Sequence, residues 1–537
     1  MVIYQKLEKD TKNQIMVRRI RDKLFLILFL SSCIIAQNEN RFDIVDWEIY
    51  SQPLKINSIS EDTSFFYFGT DNAGILRFNK FSQQFDTPIT QAQGLHSRSI
   101  KHVFYDEKTG ILWAIGNQFI EYSFSKTSDW YKSSYVPSKM AISDIGSSTN
   151  YLCVKSGPNF VKLDHINGTN LGVYAFPDES DINWGDMSYQ YMNMTNFNFN
   201  DYFVEDGWML TINGASDKRG KFLKYKSYYQ SNHMFDWIGL DNGFLLQIDK
   251  FTKSVKPVYY GLGTNSIKDS LLDGNFLWIV GEGGITKFDI YQNTTEVLRP
   301  EEYFQFDESS ISCVIKADDE IWFGSSTGYI LVYNVKKDSF RKFGNFYGVV
   351  DMVYREDKVW VSSRINRELY NIFAIDKELK IKSDDTIPDT LDNSWSEVLA
   401  MRFSSKSLSR EMAFYQNNTI YISKIDGLYK HQIPTSLSHA EYDISVPSTR
   451  KIVDSTLYFN GFVRDVLVIE EKIFVGTNTG LFIFDLTSGE LLERYAFFDV
   501  EDLDKFSFLR NIVKINYFPD FLILLTKYGL IKFGMEL

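Results

Sequence analysis

Cysteine is nearly absent, with three in 537 residues. Cys153 and Cys313 lie far apart in strand-like settings (YLCVK and SCVIK), so neither a disulfide framework nor a zinc site is expected, and both read as small buried hydrophobes. Proline is scarce, at 11, and the six histidines (His96, His102, His165, His233, His431 and His439) are scattered, each reading as an ordinary polar residue. The sequence has no H-E-x-x-H, no C-x-x-C, no G-x-x-x-x-G-K and no EF-hand loop, so the motifs that tie residue spacing to metal, redox or phosphate chemistry are missing. Gly324-Ser325-Ser326-Thr327-Gly328 matches G-x-S-x-G, but the same five positions recur as Gly476 to Gly480 before another apolar strand, which identifies a hairpin turn and not a hydrolase elbow. Cationic side chains are outnumbered, 57 Lys+Arg against 69 Asp+Glu for a net charge of -12, and this argues against a nucleic-acid partner.

Long apolar runs are also missing, except near the start. Arg18, Arg19, Arg21 and Lys23 precede the run Leu24 to Leu30, the layout of a secretory signal peptide over residues 16–36. Residues 1–15 would make an unusually long polar leader, so Met16 is the expected start. Two cleavage readings stay open: Leu30-Ser31-Ser32-Cys33 resembles a bacterial lipobox with Cys33 as the lipidated residue, while Ala36-Gln37 fits ordinary signal peptidase. No other stretch approaches the ~20 apolar residues of a membrane span. The expectation is an exported protein, in the periplasm, at the outer membrane or outside the cell, either free or held by a lipid anchor.

What is abundant is aromatic: 44 Phe, 32 Tyr and 10 Trp, a load that suits pleated strands. A single pattern organises these residues. A short polar turn leads into an apolar strand, a tight turn with Gly, and a second apolar strand closed by Asp or Asn. FYFGTDNAGILRFN, DWIGLDNGFLLQID, LWIVGEGGITKFD, IWFGSSTGYILVYN and IFVGTNTGLFIFD are clear copies. The turn glycines Gly243, Gly284 and Gly328 are spaced by 41 and 44 residues, and Gly74, Gly157 and Gly243 by about twice that. A period of forty-odd residues with four strands is that of a propeller blade, which can bury both faces only by stacking on its neighbours. The expectation is therefore all-β, a β-propeller over residues 37–537 with about ten repeat units, in one large ring or two smaller rings. The strand in FDIVDWEIYSQ is expected to complete the last copy and remove its open edge. An eleventh copy around Trp208 and Gly220 stays open.

IKADDEIWFGSSTGYILVYNVKKDSFRKF, VIEEKIFVGTNTGLFIFDLTSGELLERY and ISEDTSFFYFGTDNAGILRFNKFSQQF resemble the two-component regulator propeller repeats of bacterial periplasmic sensor regions. In that family the propellers precede a transmembrane segment and a kinase and often recognise glycan fragments. Neither part follows the last copy here, so the resemblance implies an exported propeller with a ligand-binding or scaffolding role. It carries over no binding residue, because the matching positions are hairpin core.

One stretch departs from the pattern. Leu163 to Asp217 holds nine acids and no Lys or Arg, and residues 178–235 read as an aromatic, acidic insertion or a degenerate blade. Carboxylates beside aromatic rings suit a sugar or a hard cation such as calcium. Asp178, Glu179, Asp181, Trp184 and Asp186 are the candidate ligand-binding residues. The bland alternative is aromatic packing with solvated acids. No catalytic residue and no cofactor beyond calcium is predicted. The preferred reading is a non-enzymatic exported propeller that binds a glycan or protein through loops on one face. Alternatives are a carbohydrate-active hydrolase or lyase, which would need carboxylates converging near the axis, and a structural protein of the cell envelope.

Overall fold

The computed structural model describes residues 47–134, 142–157, 159–175, 181–185, 187–188, 201–299, 310–344, 346–365, 370–382, 390–391, 412–416, 419–424, 427–431, 437–438, 449–454, 462–496 and 507–534. Among the described residues there is no α-helix, and the sheets are antiparallel except where Phe203–Val204 adds a short parallel strand. Ten successive four-strand meanders are numbered here as blades: 1 (56–89), 2 (102–132), 3 (142–174), 4 (222–258), 5 (266–298), 6 (311–343), 7 (348–382), 8 (412–454), 9 (463–496) and 10 (512–534).

Blade 10 draws its fourth strand from the other end of the chain. Trp47–Ser51 pairs antiparallel with Gly529–Gly534, from Trp47 opposite Phe533 to Ser51 opposite Gly529. Blades 1 to 9 thus lie, in sequence, between this strand and the sheet it completes. Trp47, Ile49 and Tyr50 are 1%, 4% and 0% exposed, so the strand is a core element and not an appended edge.

Within a blade the logic is local. In blade 6, Glu320–Ser325 buries every residue after the first, and Trp322 pairs with Val332 of the next strand. Trp113, Trp237, Trp278 and Trp322 occupy the corresponding place in blades 2, 4, 5 and 6, all essentially inaccessible, each contributing roughly 1.5–3 kcal/mol by burial. The tight turn after that strand needs glycine for two reasons, seen best at Gly243. Its φ is +76°, and a Cβ there would lie 1.7 Å from the Pro53 carbonyl oxygen. Ser325 and Gly328 sit in such a hairpin turn, with Thr327 N–H donating to Ser325 Oγ, as the repeated G-x-S-x-G pattern indicated.

The segment proposed as an eleventh copy forms no blade of its own among the described residues. Its hairpin, Met209–Thr211 and Gly214–Ser216, pairs with Phe222–Tyr229 and so extends the sheet of blade 4. Blade-to-blade contacts run in two series. First strands pack between blades 1 and 2, 2 and 3, and 4 and 1; elsewhere between 5 and 6, 6 and 7, 8 and 9, 9 and 10, and 10 and 5. A shared core joins the series, combining Ile59 and Phe68 of blade 1, Trp237 of blade 4, Phe288 of blade 5, Ile523 of blade 10 and Tyr50.

Candidate functional site where the first strands converge

The first strands of eight blades, all but 2 and 8, carry a bulge after an aliphatic or aromatic residue. The ladder skips a residue between Ile56 and Ser58, Ile142 and Asp144, Tyr225 and Ser227, Ile267 and Asp269, Ile311 and Cys313, Val349 and Asp351, Val463 and Asp465, and Ile512 and Lys514. A bulge re-aims the following side chain, and here it turns that side chain toward the neighbouring blade. Ser58 Oγ accepts from the Val103 amide at 2.7 Å, tying blade 1 to 2. Ser227 Oγ donates to the Ile56 carbonyl at 3.1 Å, tying blade 4 to 1. Asp269 Oδ2 accepts from the Val314 amide at 3.0 Å, and Asp465 Oδ2 from the Ile515 amide at 2.7 Å.

This position holds a charge in five blades: Asp144 in blade 3, and Asp269, Asp351, Asp465 and Lys514 in blades 5, 7, 9 and 10, where the charges gather. Lys514 Nζ lies 3.5 Å from Asp269 Oδ1, which ties blade 10 to blade 5. The side chains of Lys514 and Asp269 are 41% and 21% exposed, so the cluster opens to water. Asp465 is 8% exposed.

The charges shape one another. Asp269 first, then Asp465 and Asp351, hold the Lys514 ammonium well above the ordinary lysine range. Burial, reinforced by the neighbouring Asp269 charge, pushes the Asp351 carboxyl up to about 6. Burial also pushes Asp465 up to about 6, against the opposing pull of Lys514 and the Ile515 amide. Cys313, at the same register in blade 6, is a buried free thiol pushed far up by burial and the nearby carboxylates. The arrangement is a set of acceptors around one ammonium, two of them poised near neutrality. It can bind hydroxyls and amines, and it can give or take a proton close to pH 6.

The acidic stretch singled out by composition lies elsewhere. Asp178, Glu179 and Asp186, like the lipidation candidate Cys33, fall outside the described residues. Asp181 is exposed. Trp184 belongs to a short fifth strand on the inner edge of blade 3, opposite Gly146, and its ring packs 6.2 Å from that of Phe160 beside Cys153 and Ile182. Asp181 and Trp184 therefore sit at blade 3, apart from the four charges gathered by blades 5, 7, 9 and 10. Among the described residues no group of three or more His, Cys, Asp or Glu is placed to hold a metal ion. Sequence reading missed the converging cluster although part of its signal is visible in hindsight: a charge two residues after the aliphatic opening a first strand, which blade 3 shares in Asp144 while blades 1, 4 and 6 carry Ser or Cys.

A groove of about 500 Å³ between blades 6 and 7 is lined by Asp318, Glu320, Arg341, Tyr354, Asp357 and Lys377 among others. Its charges are spent on each other: Lys377 meets Asp318 and Asp357, and Arg341 lies 2.8 Å from Glu320.

No family model and no curated protein matches the chain. Among solved structures it is similar to PorZ, described as an essential surface component of the type-IX secretion system of Porphyromonas gingivalis, at 11% identity and TM-score 0.46 over 91% of this chain and 87% of that one. It is also similar to the extracellular domain of a putative hybrid two-component system of B. thetaiotaomicron, at 10% identity and TM-score 0.27 over 90% of this chain and 70% of that one. Similarity at this level speaks to neither ligand nor partner, and the architecture stands on the sheets described above.

Proposed function

We propose that the chain is an exported, non-enzymatic β-propeller protein that binds a hydroxyl-rich or amine-bearing ligand, a glycan or a protein side chain, at Asp269, Asp351, Asp465 and Lys514. The observation that carries this is that the bulge-position charges of blades 5, 7, 9 and 10 gather around Lys514, where the same position in blades 1, 4 and 6 holds Ser58, Ser227 and Cys313. Serine suffices to link blades, so the charges there exceed what the fold requires. The two contact series, in which blade 4 meets 1 and blade 10 meets 5, support two rings of four and six blades, with the cluster on the axis of the second. Export rests on the basic and apolar segment at 16–36, and among the described residues no helix is long and apolar enough to cross a membrane.

The test is calorimetry and glycan-array binding with residues 37–537. Asp351→Asn, which keeps shape and removes charge, is expected to weaken binding at least tenfold with no fall in melting temperature. Binding that persists unaltered in Asp351→Asn and Asp465→Asn dismisses the site. The two carboxyls near 6 also favour a second reading, a carbohydrate-active hydrolase or lyase. Turnover of a bound glycan that follows an ionisation near pH 6 and vanishes in Asp465→Asn would select it.

A further inference from the structure

The turn joining third and fourth strands repeats a fixed chemistry. An Asn or Asp ends the third strand, and its side chain accepts from backbone amides within the turn. Phe81 N–H donates to Asn79 Oδ1 at 2.9 Å, Ile166 N–H to Asp164 Oδ1 at 2.9 Å, and Phe251 N–H to Asp249 Oδ1 at 2.8 Å. The residue at the apex, two after the Asx, is apolar and strongly exposed: Phe81 77%, Ile166 60% and Phe251 79%.

The turn does not need an apolar apex. In blade 9 the same turn, with Thr487 N–H donating to Asp485 Oδ1 at 3.0 Å, puts Thr487 there. Blade 6 has Lys336 and blade 7 has Glu378 at the same place. Blade 5 places the amphipathic Tyr291, 56% exposed, at this apex; polar apices fold equally well, so the fully apolar Phe81, Ile166 and Phe251 serve something outside the chain.

Blades 4, 1, 2 and 3 are neighbours through their first strands, so the turns carrying Phe251, Phe81 and Ile166 project from one face. Blade 2 adds Phe124, 53% exposed, in its own turn. These side chains are separate pegs with polar turns between them, not the continuous apolar patch that a protein interface buries. The apex amides are already satisfied internally, so no orphan donor would enter a water-poor layer. Three neighbouring lysines are spent as well: Lys80 pairs with Glu61, Lys126 lies 2.8 Å from Asp62, and Lys250 lies 3.5 Å from Asp236, while Lys253 lies 5.2 Å over the Tyr202 ring. Apolar pegs on one face, with most nearby lysines paired, fit the interfacial layer of a bilayer, entered by apolar insertion and not by attraction to anionic headgroups. The chain outside the structure agrees: the fourteen residues from Cys33 to Trp47 reach at most ~50 Å, enough for a lipid on Cys33 to hold this face at a membrane and supply the second of the two signals that stable anchoring takes.

We propose that the face of blades 1 to 4 bearing Phe81, Ile166 and Phe251 seats on a lipid surface. This goes beyond the ligand reading and does not depend on it. Residues 37–537, without lipid, are sedimented with phosphatidylcholine vesicles at millimolar lipid, with and without 30% phosphatidylglycerol. The expected result is partial binding that is the same for both vesicle types and insensitive to salt, falling about tenfold with Phe81→Ser and again with Phe251→Ser. Circular dichroism keeps the comparison among folded variants. Binding unchanged in the double variant overturns the proposal. So does binding confined to the anionic vesicles, or a concentration-dependent dimer that the same substitutions dissolve, which would make a second copy the occupant. Asp351→Asn is expected to leave vesicle binding unchanged, so failure of one reading does not mask the other.

Discussion

Removing Trp47–Ser51 should cost the protein far more than the loss of a five-residue terminus ordinarily does. The strand fills the fourth place of blade 10, and its three large apolar side chains are buried to 4% exposure or less. At roughly 1.5–3 kcal/mol each, Trp47, Ile49 and Tyr50 contribute about 5–9 kcal/mol, before the backbone ladder to Gly529–Gly534 is counted. That is comparable with the whole stability of an ordinary domain, about 5–15 kcal/mol. The damage should not stay local. Trp47 packs against Tyr495 of blade 9, with ring centroids 5.7 Å apart, and against Phe508 at 5.5 Å, while Lys514 stands on the first strand of blade 10 itself. Chains beginning at residues 47 and 52 would be compared by guanidinium unfolding and by hydrogen exchange of residues 512–534. Loss of protection there and a large fall in midpoint are expected, with partial recovery when a peptide of residues 42–51 is added in trans. Equal midpoints, or equal protection of blade 10, would refute the closure argument.

Two further predictions concern buried groups. Glu121, 1% exposed, is pushed up from 4.5 to about 7 by burial, against the pull of the His96 amide and Lys132. Its folded-state value exceeds the unfolded one, so the stability it contributes is full below pH 4.5 and is lost as pH rises through 7, a difference of roughly 3 kcal/mol. Glu121→Gln keeps an acceptor for the 3.0 Å bond from His96 and should therefore stabilise the protein at pH 8 but not at pH 4; urea midpoints that differ equally at both would contradict this. Gly243→Ala should destabilise by more than about 2 kcal/mol, since its φ is +76° and the new Cβ would meet the Pro53 carbonyl. A melting temperature within error of the parent would show that the linker at Pro53 yields freely.

Much of the fold was legible because its determinants are local. The alternation in IWFGSSTGYILVYN sets which side chains face the neighbouring blades, Gly328 sets the turn, and both follow from a few consecutive residues. The closing strand was legible for the same reason, since an alternating segment before the first copy and a final copy ending after its third strand leave complementary edges. Cys153 and Cys313 are buried, as their strand settings implied. The acidic, aromatic segment at 178–235 was conspicuous by composition, yet Trp184 packs on Phe160 and the Trp208 hairpin joins blade 4.

What the amino-acid sequence determined alone is the unit, its copy number near ten and its turns, because strand period and glycine placement are read within some forty residues. Which copies touch is a different kind of fact. A period of two tells a side chain which face of its sheet to occupy but not which blade it will meet, so Asp269 and Lys514, 245 residues apart, look like unrelated surface charges. Only the packing of blade 10 against blade 5 brings them to 3.5 Å and sets Asp351 and Asp465 beside them, and in that proximity and burial both carboxyls move toward neutrality.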